Sequence, residues 1–544
     1  MRCNSVLYDI DISPMKKILA LSVIVLLFLG TNSNAQLLNN SPYDKVGMAM
    51  QIINYAYVDT VKMDKLAEVA IVAMLKDLDP HSSYISKEDL EEANQPLEGS
   101  FEGIGIQFQI LNDTIVVISP ISGGPSERLG IQAGDKIISI EGKSAVNIKI
   151  KNEDVIKQLR GKKGTTVTVS ILKVGTQKML DYTITRDKIP LYSVDASYMV
   201  TPEIGYIKCS RFAATTMDEF RSALSKLNEK GMKSLILDLI DNGGGLLNVA
   251  IDMADEFLGD KKLIVFTQGV YAPKQISQAT SKGSFEKGKL VVLIDEGSAS
   301  ASEIVSGAIQ DWDRGLIIGR RSFGKGLVQK PFQLSDGSQI RLTVAHYYTP
   351  VGRCIQKPYE NGADEYYKDL YNRKLKGELF SADSIHFPDS LKYFTPNNRT
   401  VYGGGGIMPD IFVPADTSKN SEYLYKLASK GLFNRFTLEY VDRERSKLMA
   451  AYPNGDEFIK NFKTEKSFMD AFTAFAEKDS VVKDMKGFET SKDIIQMQLK
   501  ARIAQDLFGN DAMFRIYNEM NPPYLKAIEA IKGDTFSKMK IAGK

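Results

Sequence analysis

The fold is decided by residues 290–329, LVVLIDEGSASASEIVSGAIQDWDRGLIIGRRSFGKGLVQ. The stretch opens with an apolar run, Leu290-Val291-Val292-Leu293-Ile294, which reads as a buried strand. A small-residue turn follows, and then Ile304, Val305, Ala308 and Ile309 recur at helical spacing. A second apolar run, Leu316-Ile317-Ile318, leads to Gly324-Lys325-Gly326. A serine cluster therefore sits where a strand becomes a helix, and a glycine-flanked lysine follows about one β-unit later. The chemistry is expected there.

The flanking sequence repeats the scheme. Ile204 to Ile207 reads as a strand and Met217 to Lys230 as an amphipathic helix. Leu235 to Ile240 is a strand that runs into Asp241-Asn242-Gly243-Gly244-Gly245, and Val249 to Phe257 is a helix. Such alternation predicts an α/β core with a mixed sheet over residues 189–415. Within it, residues 357–402 are polar and Tyr-rich and read as an insertion. Residues 98–188 carry short strands such as Thr114 to Ile118 and Thr166 to Val169, the pattern of a small β-rich module. Residues 36–97 read as helical, with periodic stretches at Val46 to Tyr57 and Met63 to Leu78, broken by the proline-containing turn Asp79-Pro80-His81-Ser82-Ser83-Tyr84. Residues 416–544 read as helices rich in Lys, Glu, Met and Phe. The whole is a multidomain α/β chain.

A chain of 544 residues is too long for one core. Its net charge of +2 gives no electrostatic case for nucleic acid, whose binders carry basic patches. Met15-Lys16-Lys17, an apolar segment from Ile18 to Gly30 and the small residues Ser33-Asn34-Ala35 predict a signal peptide cleaved before Gln36. Residues 1–35 are then a leader, with 1–14 an upstream extension and translation starting at Met15. The apolar segment is short for a membrane span, and an uncleaved anchor is the alternative. Export to the periplasm or cell envelope is expected. Cys209 and Cys354 are too few for a disulfide scaffold and are expected as buried free thiols.

A serine needs a base to become a nucleophile. His81, His346 and His386 lie in no triad motif, although triad partners need not be close in sequence. Lysine serves as a base only when burial or nearby positive charge lowers its pKa. The apolar and glycine neighbours of Lys325 suit a desolvated amine, and equally an ordinary lysine in a glycine loop. Ser300-x-x-Glu303 is by itself a capping box, serine at the N-cap and glutamate at N3. Capping and catalysis are compatible, since a helix N-terminus offers N–H groups to an oxyanion. Gly243-Gly244-Gly245 offers more such groups, or simply a tight turn. Residues 319–325 also match G-x-x-x-x-G-K, but Gly326 stands where a phosphate-binding loop needs Ser or Thr, and 327–331 does not read as a helix.

Taken together these stretches resemble the carboxyl-terminal processing peptidases, or tail-specific proteases. The resemblance rests on Asp238-Leu239 with Asn242-x-Gly244-Gly245, on Ser298-Ala299-Ser300-Ala301-Ser302-Glu303-Ile304, and on Gly324-Lys325-Gly326-x-x-Gln329. It extends to Leu78 to Tyr84, to residues 98–188 as a PDZ domain, and to Gly406-Ile407-x-Pro409-Asp410. It covers most of residues 40–415 and none of the helical tail. The resemblance implies a serine endopeptidase with a Ser–Lys mechanism and no metal or other cofactor. The nucleophile would be the middle serine, with the lysine 25 positions later, which selects Ser300 and Lys325. Gln329 would orient the lysine. Ala301 and a glycine of the 243–245 run, Gly244 first and Gly245 second, would form the oxyanion hole. Glu303 and Asp311 match acidic positions with structural roles. Gly103-Ile104-Gly105-Ile106 would be the loop that binds a peptide carboxylate. Substrates would be proteins with free C-termini, and the tail could serve self-association or an adaptor. One departure stands out: Ile240 replaces the arginine usual after Asp-Leu, and Asp241 a commoner Asn or Gly, so the glycine turn needs other support. A catalytically inactive PDZ-bearing envelope scaffold is the alternative.

Overall fold

The computed structural model describes residues 41–541, apart from 112, 122, 175 and 177. The expected signal peptide and upstream extension lie outside the described residues. The chain divides into two compact units, up to residue 75 and from residue 76 on. The first holds helix α1 (Pro42–Ala56), which starts where the Ser41 hydroxyl accepts from Tyr43 N–H (3.2 Å) and Pro42 fills the first turn. Helix α2 (Met63–Leu78) follows. Both were legible as apolar periodicity.

In the second unit, helix α3 (Leu90–Glu98) ends at Gly99, whose φ of 69° suits a left-handed cap. The β-rich module then forms a sheet of β1 (Ile106–Leu111), β2 (Thr114–Pro120), β3 (Lys136–Ile140), β4 (Thr166–Leu172) and β5 (Met179–Thr185), in the order in which they are named. Helix α4 (Asn152–Leu159) closes its core through Val155 and Leu159. An antiparallel ribbon, 100–103 against 187–190, ties the two ends of the module together.

The α/β core is a six-stranded mixed sheet. Strand β6 (Val194–Thr201) pairs antiparallel with β7 (Ile204–Cys209). Parallel pairings then run through β8 (Ser234–Asp238), β9 (Lys289–Ile294), β10 (Leu316–Gly319) and residues 411–412. The strands read as unbroken apolar runs because both faces are covered. Side chains alternate: Leu290, Val292 and Ile294 point to one core, Val291 and Leu293 to the other. The first core is filled by helices α5 (Thr216–Glu229), α6 (Leu247–Asp255) and α7 (Ala301–Asp311).

The second face carries a finding that sequence reading did not give. Helix α8 (Ala363–Leu375) belongs to the insertion, but helix α9 (Pro522–Lys532), from the far end of the tail, lies on the core sheet. Its Tyr524, Ala527 and Ile531 pack on Tyr206, Ile236, Val291 and Ile318. The boundary expected at 415/416 therefore separates sequence, not packing. The helices between 422 and 518 build their own aromatic-rich core, and α9 returns to complete the α/β layer.

A second sheet flanks the first. Its centre is the strand 339–348, antiparallel to 327–333 and joined also by 83–85 and 263–268. The phosphate-loop match, already disfavoured by Gly326, finds no helix after it: Gly326 is followed by a strand, as the sequence of 327–331 led one to expect. Cys209 is a buried free thiol as expected. Cys354 is only partly buried, because it lies beyond the end of strand 339–348 and is joined to it by a single bridge to Tyr348.

Candidate active site

Helix α7 begins immediately after Ser300, at the C-terminal end of parallel strand β9, where open α/β sheets place their sites. Ser300 has φ 54° and ψ −111°, a conformation L-residues avoid. Ser302 N–H donates to Ala299 C=O (3.1 Å), so Ser300 holds a turn position that favours glycine. Such strain costs about 1–3 kcal/mol and concentrates at functional sites. The surroundings impose it. Ser300 N–H donates to Glu303 Oε2 (2.8 Å), and Tyr347 OH donates to Ser300 C=O (3.1 Å).

The three serines of the cluster have different fates. Ser298 is buried and donates to Leu239 C=O (2.7 Å), while accepting from Asp295 N–H (2.9 Å). Ser302 is buried and donates to Asn242 C=O (2.8 Å). Ser300 alone of the three lines the adjoining cleft of about 600 Å³. The cleft also holds Gly243–Gly245, Ala301, Lys325 and Gln329, so the structure brings the candidate catalytic residues and oxyanion donors to one place. His81, His346 and His386 do not line it.

Lys325 is largely buried, and burial lowers its pKa, against the opposing pull of Asp79 and Glu303. Its Nζ donates to Gln329 Oε1 (3.1 Å). The ladder slips register between Val328 and Gln329, which pair with Ala345 and Thr343, so the unpaired Val344 lies on the partner strand. Glu303 is the hub that joins the serine turn to the lysine loop. Beyond Ser300, its carboxylate accepts from Ser322 Oγ (2.5 Å), Gly324 N–H (2.8 Å) and Lys325 N–H (2.9 Å). Burial raises its pKa, while these four donors favour the ionised form.

The glycine turn is packed against Ser300. A Cβ on Gly244 would meet Ala299 O at 2.7 Å and Ser300 Cβ at 2.8 Å, and Gly244 has φ 97°, so both space and backbone require glycine there. Gly244 N–H donates to Asn242 Oδ1 (2.9 Å) and is thereby committed within the loop. Ala301 opens helix α7, where N–H groups have no intrahelical acceptor.

The departure at Ile240 has a structural answer. Lys208, from strand β7, reaches Asp238 Oδ1 (3.1 Å) and Ile240 C=O (2.5 Å). Tyr206 OH donates to Asp238 Oδ2 (2.7 Å). A cation from the neighbouring strand thus supports the turn. The signal was present in the sequence as a lysine inside a strand otherwise buried throughout, where lysine stays only if paired. Asp311, expected to be structural, is buried and paired with Arg353 (2.5 Å).

In the β-rich module, Ile104, Gly105 and Ile106 line a groove of about 350 Å³ against Ile156 and Leu159 of α4. Gly105 has φ 74°, and its C=O accepts from Ile121 N–H (2.9 Å). Gly103 ends the tether, paired with Asp187.

The fold and cleft therefore define an α/β protein with a strained serine and a desolvated lysine at the carboxyl edge of a parallel sheet. Comparison with known proteins gives the family. The profile of peptidase family S41 matches residues 203–363, a PDZ domain 103–184 and the N-terminal domain of activating protease CtpB 29–89, while a family of unknown function matches 423–509. A carboxy-terminal-processing protease of Bartonella bacilliformis is 40% identical over 317 residues, 57% of this chain and 72% of that protein. A "Probable CtpA-like serine protease" of Staphylococcus aureus is 36% identical over 316 residues, 57% of this chain and 62% of that protein. This chain thus spans less than two thirds of the staphylococcal relative. The solved photosystem II D1 C-terminal processing protease is 26% identical, covering 68% of this chain and 92% of its own, with a TM-score of 0.35. The chain belongs to the carboxy-terminal-processing proteases of peptidase family S41.

Proposed function

We propose that the chain is an exported serine endopeptidase that binds C-terminal tails of proteins through its PDZ domain and cleaves near them by a Ser–Lys mechanism. The observation that carries this is that Ser300, the one serine of its cluster on the cleft, shares that cleft with a Lys325 kept largely from water. Ser300 Oγ attacks the scissile carbonyl while neutral Lys325 takes its proton. The tetrahedral oxyanion is met by Ala301 N–H and a glycine N–H. Gly245 is preferred to Gly244, whose N–H is held by Asn242. Collapse breaks the C–N bond, Lys325 returns the proton to the leaving amine, and an acyl-enzyme remains. Water, deprotonated by Lys325, then hydrolyses the ester. Gln329 holds Nζ towards the serine throughout. Ile104, Gly105 and Ile106 would receive the substrate's terminal carboxylate as the tail adds a strand beside β1. Export rests on the leader-like sequence of residues 1–35.

The test is cleavage of an unfolded reporter with an apolar free C-terminus by the mature wild type, Ser300→Ala, Lys325→Ala and His346→Ala. Activity lost in the first two variants and kept in the third supports the assignment. Full activity in Lys325→Ala refutes it. A silent wild type that also fails to react with a serine-directed probe points to the scaffold alternative.

A further inference from the structure

Helix α8 of the 357–402 insertion touches both the Pro80–His81 turn and the loop that leads to Lys325. We propose that this helix is a brace for the general base: Tyr366 and Tyr367 fix the Pro80–His81 turn, the turn fixes the Gln329 amide, and the amide fixes Lys325. This rests on the Ser–Lys reading above.

The two ends of a glutamine amide are chemically distinct, and only the oxygen can accept from a lysine. Rotation by half a turn would aim an NH2 group at Nζ. Gln329 Nε2 donates to His81 C=O, an acceptor that cannot receive the other end. The position of that carbonyl therefore decides which end of the amide the lysine meets. Sequence distance hides this contact, and the second sheet creates it. Gln329 pairs with Thr343, and Thr343 is bonded to the turn through Ser82 Oγ (3.1 Å) and Asp79 Oδ1 (3.1 Å).

The turn is held from two sides. On the inside, Asp79 accepts from His81 N–H and Ser82 N–H (2.8 Å each) and from Ser82 Oγ (2.5 Å). On the outside stands α8. Tyr367 OH donates to Pro80 C=O (2.6 Å), and Tyr366 OH bonds His81 Nε2 (2.8 Å) with its ring edge-on to the imidazole. Burial and the nearby Lys325 lower the His81 pKa to about 4, so the ring is neutral at working pH.

The same helix grips the lysine loop. Arg373, two turns beyond Tyr366 on the same face, donates to Ser322 C=O (2.8 Å) and Phe323 C=O (3.1 Å). Lys357 Nζ lies between the rings of Phe323 (4.0 Å) and Tyr366 (4.1 Å). Helix α8 thus bridges the two segments whose relative position sets the Lys325–Gln329 bond. Tyr366 and Tyr367 are positioning residues.

The test is a kinetic cycle on the full mature chain. Tyr366→Phe/Tyr367→Phe removes two hydroxyls and keeps both rings. It is expected to lower kcat about tenfold with KM nearly unchanged. The acid limb of kcat/KM should move up by about half a pH unit, because a looser turn admits water to Lys325 and relieves its desolvation. The charged groups facing Lys325, namely Asp79, Glu303 and Arg341, are unaltered. In a Gln329→Ala background the same pair should change kcat less than about twofold, since the tyrosines act through the glutamine. A full tenfold loss in that background, or a fall in Tm with kcat and the pH limb unmoved, overturns the brace. Tyr367→Phe alone, at an exposed residue, supplies the same cycle if the double variant does not fold. Activity in Lys325→Ala would defeat the underlying mechanism instead, and a dead Lys325→Ala beside wild-type behaviour of the tyrosine variants defeats the brace alone.

Discussion

Replacing Glu303 by glutamine should loosen the catalytic cleft while moving its pH dependence in a determinate direction. The carboxylate accepts four hydrogen bonds, two at each oxygen: Ser300 and Lys325 N–H at Oε2, Ser322 Oγ and Gly324 N–H at Oε1. An amide keeps one oxygen. The lesser loss puts NH2 at the Oε1 position, because the Ser322 hydroxyl can turn to accept while a backbone N–H cannot. Gly324 N–H is then buried opposite another donor. One unsatisfied buried donor costs about 1–3 kcal/mol, and exchanging charged for neutral acceptors at the other bonds adds to it. Glu303→Gln should therefore lose at least about 1–3 kcal/mol in urea unfolding, and its kcat should fall as the serine turn and lysine loop part. Glu303 raises the Lys325 pKa. Removing its charge lowers that pKa further, so the acid limb of kcat/KM moves to lower pH, opposite to the shift expected from the tyrosine variants. A Glu303→Gln enzyme with wild-type unfolding midpoint, or with its acid limb displaced upward, would refute this account of the hub.

Three further outcomes follow from the packing. Lys208→Met leaves Asp238 buried without its cation, so it should destabilise by about 3–5 kcal/mol in urea unfolding and depress kcat through the glycine turn, and near-wild-type values would show that Tyr206 suffices. Ser300→Gly relieves the positive φ and should be more stable than Ser300→Ala by about 1 kcal/mol, both being inactive; equal Tm values would mean that the turn stores no strain. Ile531→Ala, far outside the peptidase profile, should cost about 2–5 kcal/mol because its side chain closes the second face of the core sheet, and an unchanged denaturation midpoint would make the tail an appendage.

Sequence alone determined those features that depend on local pattern. Apolar runs such as Leu290 to Ile294, short and rich in β-branched residues, read as strands covered on both faces, and the strand–turn–helix alternation around them gives a mixed α/β sheet. The serine cluster at a helix start and the glycine-flanked lysine follow from short-range order, whereas the choice of Ser300 within the cluster and the role of Gln329 came from the resemblance to a known family. Tertiary structure decided what depends on partners far apart in the chain. Ser298 and Ser302 are committed to the carbonyls of Leu239 and Asn242, which no spacing reveals. Lys208 reaches Asp238 and the Ile240 carbonyl only because β7 lies beside β8. The tail's α9 covers the core because one sheet face would otherwise remain apolar and open to water. The Pro80–His81 turn reaches Gln329 only because a strand near the N-terminus and a strand of the core join the same sheet. Hydrophobic periodicity reports which face of an element is buried; it does not report which distant hydrogen-bond donor or acceptor will meet it there.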